Sequence, residues 1–185
     1  SEHMEHQIAR ANKMLGYIRK TMTNHSFKII LPLYTSLVRP HLEYCTQLWS
    51  PYTQGDIQKL ENVQKRVLTL CKDIKAKVYD QKLIEVGLCS LKKRRLRGDL
   101  IQVFKVLQGF SKWQHNLDVA VQVHNTRGHM FKLEKSRCRL DIRKHFFTQR
   151  VINHWNSLPN QVVCSLTVDT FKHRIDKHFV QQGVV

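Results

Sequence analysis

The chain has 185 residues with 42% apolar content, enough for one substantial domain or two small ones and too regular in its apolar pattern for a disordered chain. Its 31 Lys and Arg stand against 14 Asp and Glu, a net charge of +17, and a chain of that charge repels itself and seeks polyanions. No run approaches the length of a transmembrane helix, and five widely spaced cysteines without a C-x-x-C pair argue against a zinc module and against a secreted disulfide framework.

Ser1-Glu2-His3-Met4 resembles a cloning scar and is set outside the fold. Residues 5–20 then read as a first helix, with Ile8, Ala11, Leu15 and Ile18 on one face and Arg10, Lys13, Arg19 and Lys20 off it. Asn24 or Ser26 is placed to cap a second helix carrying Phe27, Ile30, Leu31, Tyr34 and Leu37. Pro32 fits there only in the first turn or at a kink, and Pro40 is expected to break the helix. A further helix is then open to residues 41–49, closed by Pro51. Thr53-Gln54-Gly55-Asp56 has the form of a capping sequence. It introduces a helix with Ile57, Leu60, Val63, Val67, Leu70 and Cys71 inward. A short helix over 80–86 ends at Gly87, which is placed to act as a left-handed C-cap. Ser90 caps the next helix, which puts Leu96, Leu100, Val103 and Leu107 on one face and ends near Gly109.

Residues 111–128 have no firm helical period and form the expected linker between a helical bundle over 5–110 and a smaller region over 129–185. Val119, Val121 and Val123 alternate, which suits a short strand there. Phe131 and Leu133, then Cys138, Leu140 and Ile142, alternate around Glu134-Lys135-Ser136-Arg137. That pattern predicts a small hairpin with Lys132, Arg137 and Arg139 outward. Phe147, Val151 and Trp155 mark a helix stopped before Pro159. Val168, Phe171, Ile175 and Phe179 mark the last one, with Thr167 as its N-cap. The fold class expected is mainly α: a helical bundle, then a C-terminal region of one β-hairpin and two helices.

Positive charge concentrates in two zones. One comprises Lys65, Arg66 and the run Lys92, Lys93, Arg94, Arg95 and Arg97. The other comprises Arg137, Arg139, Arg143, Lys144 and Arg150. Five cations in six residues sit at the start of a helix, where the backbone already carries partial positive charge. Each costs about 0.3–1 kcal/mol when exposed, and a bound polyanion would offset that cost. Trp113, in an irregular polar stretch, is the candidate for stacking on an unpaired base. Trp49 and Trp155 lie among apolar residues at helical spacing and read as core. No adjacent pair of acids is present to hold two metal ions, and the 11 histidines show no H-E-x-x-H and no Cys/His ligand spacing. His124 and His129 near Cys138 do not complete such a set. No catalytic residue, metal site or cofactor is expected, and the reduced thiols suit an intracellular protein, nuclear or cytoplasmic.

Several blocks carry a family resemblance. Leu37-Val38-Arg39-Pro40-His41-Leu42-Glu43-Tyr44-Cys45 is followed by Leu48-Trp49-Ser50-Pro51, then by Leu60-Glu61-Asn62-Val63-Gln64-Lys65-Arg66. Gly87-Leu88-Cys89-Ser90-Leu91 leads into Arg94-Arg95-Leu96-Arg97-Gly98-Asp99-Leu100-Ile101. Thr126-Arg127-Gly128, Phe131-Lys132-Leu133 and Arg139-Leu140-Asp141-Ile142-Arg143-Lys144 follow. Phe146-Phe147, Arg150-Val151, Trp155-Asn156-Ser157-Leu158-Pro159 and Phe171-Lys172 complete the set. In order and spacing this resembles the region downstream of the palm in reverse transcriptases of non-LTR retrotransposons (long interspersed elements), best matching the chicken-repeat and jockey-like clades. The chain departs from the pattern at Cys89, at Lys92-Lys93 and at Val67-Leu68. The resemblance implies a helical thumb that grips template-primer duplex, and a C-terminal region that helps hold element RNA during target-primed reverse transcription. The family's Tyr-x-Asp-Asp turn is absent from this sequence, so it implies a non-catalytic fragment or domesticated remnant. The expected partner is RNA or DNA, as structured RNA, hybrid or duplex, held by phosphate contacts that give affinity and little sequence choice. The alternative is a domesticated helical module for protein–protein interaction, and a third reading is peripheral binding to an anionic membrane.

Overall fold

The structure, a computed structural model, describes residues 2–74, 77–111 and 128–182. They are mainly helical, and no strand occurs among them. The chain divides into two compact units between Arg94 and Arg95, inside one long helix, and each unit has its own apolar core. The expected linker lies almost wholly outside the described residues, as do the expected strand around Val121 and the candidate stacking residue Trp113.

The first unit opens with α1 (Glu2–Thr21), whose stripe buries Met4, Ala11, Leu15 and Ile18. Residues 2–4, set outside the fold on sequence, are thus its first residues: Met4 continues the helical spacing and is 2% exposed. α2 (Phe27–Leu33) runs without a break through a π-helical turn, Tyr34–Val38, into α3 (Arg39–Glu43). Pro40 was expected to break this helix. Pro32 and Pro40 each lack an amide hydrogen, and the widened turn between them absorbs the mismatch. The Thr35 and Ser36 hydroxyls donate to the Pro32 carbonyl at 2.9 and 2.8 Å. No helix covers residues 44–49. The chain turns at Cys45, which adopts a positive φ of 50°, and the Trp49 indole donates to the Tyr44 carbonyl.

α4 (Gln54–Leu70) starts on Thr53, whose hydroxyl accepts from the Asp56 amide as expected of a cap. α2 is capped from a distance: the Asp73 carboxylate accepts from the Ser26 hydroxyl and the Phe27 amide. α5 (Tyr79–Glu85) ends at Gly87 with φ 66°, where the Leu88 amide closes back on the Leu83 carbonyl. The long helix, α6 (Leu91–Leu107), starts on Ser90, whose hydroxyl accepts from the Lys93 amide. It ends at Gly109 with φ 74° in the same kind of closure.

The second unit is built on the later part of α6. Leu100, Val103 and Phe104 pack with Phe147, Val151, Ile152 and Trp155 of α8 (Phe147–Asn156). Val162 and Val163 of α9 (Asn160–Val163) and Phe171, Ile175 and Phe179 of α10 (Val168–Gln181) complete the core. Phe104 stacks on Phe171 at 4.3 Å between ring centres, and Trp155 is wholly buried. Thr167 caps α10 through the Thr170 amide.

The expected hairpin does not form. Leu133 is buried, but Leu140 and Ile142 are 69% and 75% exposed, and Asp141–Lys144 form a short helix, α7. At Leu133 the backbone bonds to a side chain. The Asn156 amide donates to the Leu133 carbonyl and accepts from the Leu133 amide, both at 2.9 Å. The Trp155 indole donates to the Phe131 carbonyl at 2.7 Å. Asn156 thereby reproduces the two bonds of a neighbouring strand at one residue.

Candidate functional site

The start of α6 has its own anions. Glu61, 8% exposed on α4, accepts from the Lys92 amide with one oxygen and from the Tyr79 hydroxyl with the other. A carboxylate there satisfies a helix-end donor and opposes the positive end of the helix dipole. Gln64 extends the network, donating to Tyr79 and to the Cys89 carbonyl and accepting from the Tyr34 hydroxyl at 2.6 Å. Burial pushes the Tyr34 and Tyr79 phenols well above their usual range. Arg94 donates through two nitrogens to the two oxygens of Glu43. Lys65 stands 5.0 Å over the Tyr79 ring, and Arg66 reaches Asn12 at 3.0 Å. Lys92 is exposed and Lys93 half-buried. The strain that suggested a bound polyanion is therefore offset largely by the chain's own Glu61 and Glu43.

The second unit holds the remaining cations of that run. Arg95 is 5% exposed. Arg97 grips Asp176 with two bonds of 2.6 and 2.8 Å. Arg150 grips Asp99 with two bonds of 2.9 and 3.0 Å, and its guanidinium lies over the Phe147 ring. Burial raises the Asp99 carboxyl to about 6, against the lowering pull of Arg150 and Arg95.

The C-terminal basic zone is arranged differently. Arg137, Lys144 and Arg150 converge on a hollow of about 700 Å³, with Lys135, Ser136, Cys138, His145, Gln149, Asn153 and His154 around them. No Asp or Glu lies among the described residues of that lining. Arg137 and Arg139 are exposed and make no ion pair with a described residue. Arg143 is exposed beside the Phe146 ring. Lys144 bonds Asp141 at 2.8 Å, which raises the lysine pKa and lowers that of the acid, on a surface where such a pair is weak. Lys135 donates to Asn153 at 3.2 Å.

Sequence reasoning named three of the hollow's cations and missed Lys135, His145, Gln149, Asn153 and His154. A signal was present. His145, Gln149 and Asn153 recur every four residues beside the apolar stripe Phe147, Val151 and Trp155, and mark a polar helical face. His129, considered with Cys138 as a ligand, is 1% exposed and bonded by Nε2 to the Trp155 carbonyl, where burial lowers its pKa. No cluster of His, Cys, Asp and Glu suited to a metal occurs among the described residues. No helix among them is long and apolar enough to cross a membrane. No family model, no curated protein and no solved structure matches the chain.

Proposed function

We propose that the protein is a non-catalytic nucleic-acid-binding chain that grips RNA or template-primer duplex through phosphate contacts, in the manner its resemblance to retrotransposon reverse transcriptases implies. One observation carries the reading: a concave surface on the second unit lined by Lys135, Arg137, Lys144 and Arg150, with no carboxylate among its described lining residues. Arg139 and Arg143, exposed on the same stretch of chain, extend the cationic surface. Lys144 and Arg150 are already paired with Asp141 and Asp99, so Lys135, Arg137, Arg139 and Arg143 are the cations left for a polyanion, and neutralising phosphates releases counterions. The paired arginines of α6 contribute to the fold first.

A second reading, a helical module that docks a protein, draws on Leu140 and Ile142, which are exposed beside those cations. The separating experiment measures binding to hairpin RNA, RNA–DNA hybrid, duplex DNA and anionic vesicles at matched salt. The proposal expects tight, salt-sensitive binding to the nucleic acids. Absence of binding to all three at about 50 mM salt, where phosphate contacts are strong, would remove it.

A further inference from the structure

Arg150 serves two sites at once. Its Nε and Nη2 donate to the two oxygens of Asp99 at 2.9 and 3.0 Å. Its Nη1 donates to the His145 carbonyl at 3.4 Å, and the side chain, 18% exposed, lines the basic hollow. Asp99 is buried behind it and does not belong to the described lining. The charges that act on Asp99 are Arg150 from α8 and Arg95 from its own helix. An anion in the hollow and the Asp99 carboxylate therefore draw on one guanidinium. A buried carboxylate that must share its counter-ion has no water to turn to, and it takes up a proton instead.

We infer that phosphate binding in the hollow is proton-linked through Asp99: the carboxylate withholds Arg150 from the anion, and protonation of Asp99 releases it. This rests on the nucleic-acid reading above and adds how the site is regulated. With Asp99 ionised, its charge cancels that of Arg150. With Asp99 protonated, the hollow gains one unit of positive charge, and the proton comes from solvent. Protonation and phosphate binding thus favour one another, each changing the other by the same factor. Burial already lifts the carboxyl to about 6, so the proton is exchanged near neutral pH. His145 and His154, also on the lining, gain charge in acid in the same direction. The contribution of Asp99 is isolated by a variant that cannot titrate there.

The test measures binding of the full chain to a hairpin RNA with a 5′-hydroxyl end, whose phosphodiesters keep their charge, at about pH 5 and about pH 8 and constant salt. The wild type is compared with Asp99→Asn, which keeps the shape and imitates the protonated acid. At about pH 8 the variant is expected to bind about fivefold tighter than the wild type, the lower end of ordinary coupling between sites. At about pH 5 the two are expected to bind alike, because both then carry a neutral side chain at residue 99. The histidines cancel in that comparison. A ratio of affinities that does not change with pH would overturn the inference while leaving phosphate binding intact. So would a variant that binds more weakly at about pH 8, which would make Asp99 a group that holds Arg150 in place for the anion. A second measurement needs no variant: the carbon-13 shift of the Asp99 carboxyl, followed against pH in the wild type, is expected to titrate about 0.7 pH unit higher with the hairpin bound, the same fivefold seen from the proton's side. An unchanged titration would overturn the inference. Failure to bind the hairpin at either pH would remove the nucleic-acid reading itself.

Discussion

Arg150 and Arg97 each hold a carboxylate with two bonds, yet their surroundings differ. Asp99 is 3% exposed, whereas the Asp176 side chain is half exposed. Removing a partner matters where the charge left behind has no water to turn to. Arg150→Ala is therefore expected to lower stability by about 3 kcal/mol or more. Arg97→Ala is expected to cost about 1 kcal/mol or less, because water replaces its partner. Denaturant unfolding of the two variants measures the contrast, and equal losses would contradict it. Asp99 also makes a pH prediction. Its carboxyl lies at about 6 in the fold against an ordinary 3.8, so between those values the folded chain keeps a proton that the unfolded chain has released. Its contribution is complete below the ordinary value and is lost as pH rises through about 6. Asp99→Asn cannot titrate. The stability of the wild type relative to that variant should fall by about 2 kcal/mol between about pH 4.5 and 7.5. A gap that is flat, or that widens with pH, would mean that the Arg150 attraction outweighs burial. Taking the difference also removes His129, whose lowered pKa acts with the opposite sign: its contribution is present at high pH and lost as pH falls.

At the scale of elements, α6 has the most consequences. Its first turn is held by Ser90, Glu61 and Glu43, and its flank by Asp176. Changing Arg94, Arg95 and Arg97 together to Gln keeps helix propensity and breaks two carboxylate pairs. The triple variant is expected to melt lower while its folded fraction binds RNA nearly as the wild type does. An unchanged melting point with weakened binding would return these residues to the binding surface. Asn156→Ala tests the segment over 131–133. Losing both bonds to Leu133 should cost about 1–3 kcal/mol and speed hydrogen exchange at the Leu133 amide. Unchanged exchange would show that packing alone holds the segment. These elements also mark what a sequence reveals. The stripes of α1, α4, α8 and α10, the Thr53, Ser90 and Thr167 caps and the Gly87 and Gly109 ends were legible, because each depends on neighbours within one helical turn. The hairpin was misread because a period of two reports alternating burial and says nothing of what pairs with the backbone. Glu61 on the Lys92 amide and Asp73 on the Phe27 amide lie 31 and 46 residues from their partners, beyond any local pattern.

For the whole molecule, the +17 charge sets the question of what balances it. The arginines that looked most available in the sequence are engaged: Arg94 with Glu43, Arg97 with Asp176, Arg150 with Asp99. The cations of residues 135–144 are exposed, and Arg137 and Lys144 stand with Arg150 around a hollow with no Asp or Glu among its described lining residues. The central claim is that this exposed group meets phosphate. Its most direct test is the salt dependence of hairpin-RNA binding, compared between the wild type and a variant with Arg137, Arg139 and Arg143 changed to Gln. These three side chains are exposed, so the variant should melt as the wild type does. The wild type should lose about a thousandfold or more in affinity between 50 and 200 mM salt if about six phosphates are neutralised. The variant should bind more weakly at every salt concentration, with a salt slope lower by up to about three units. Identical slopes and affinities in two equally stable proteins would contradict the claim.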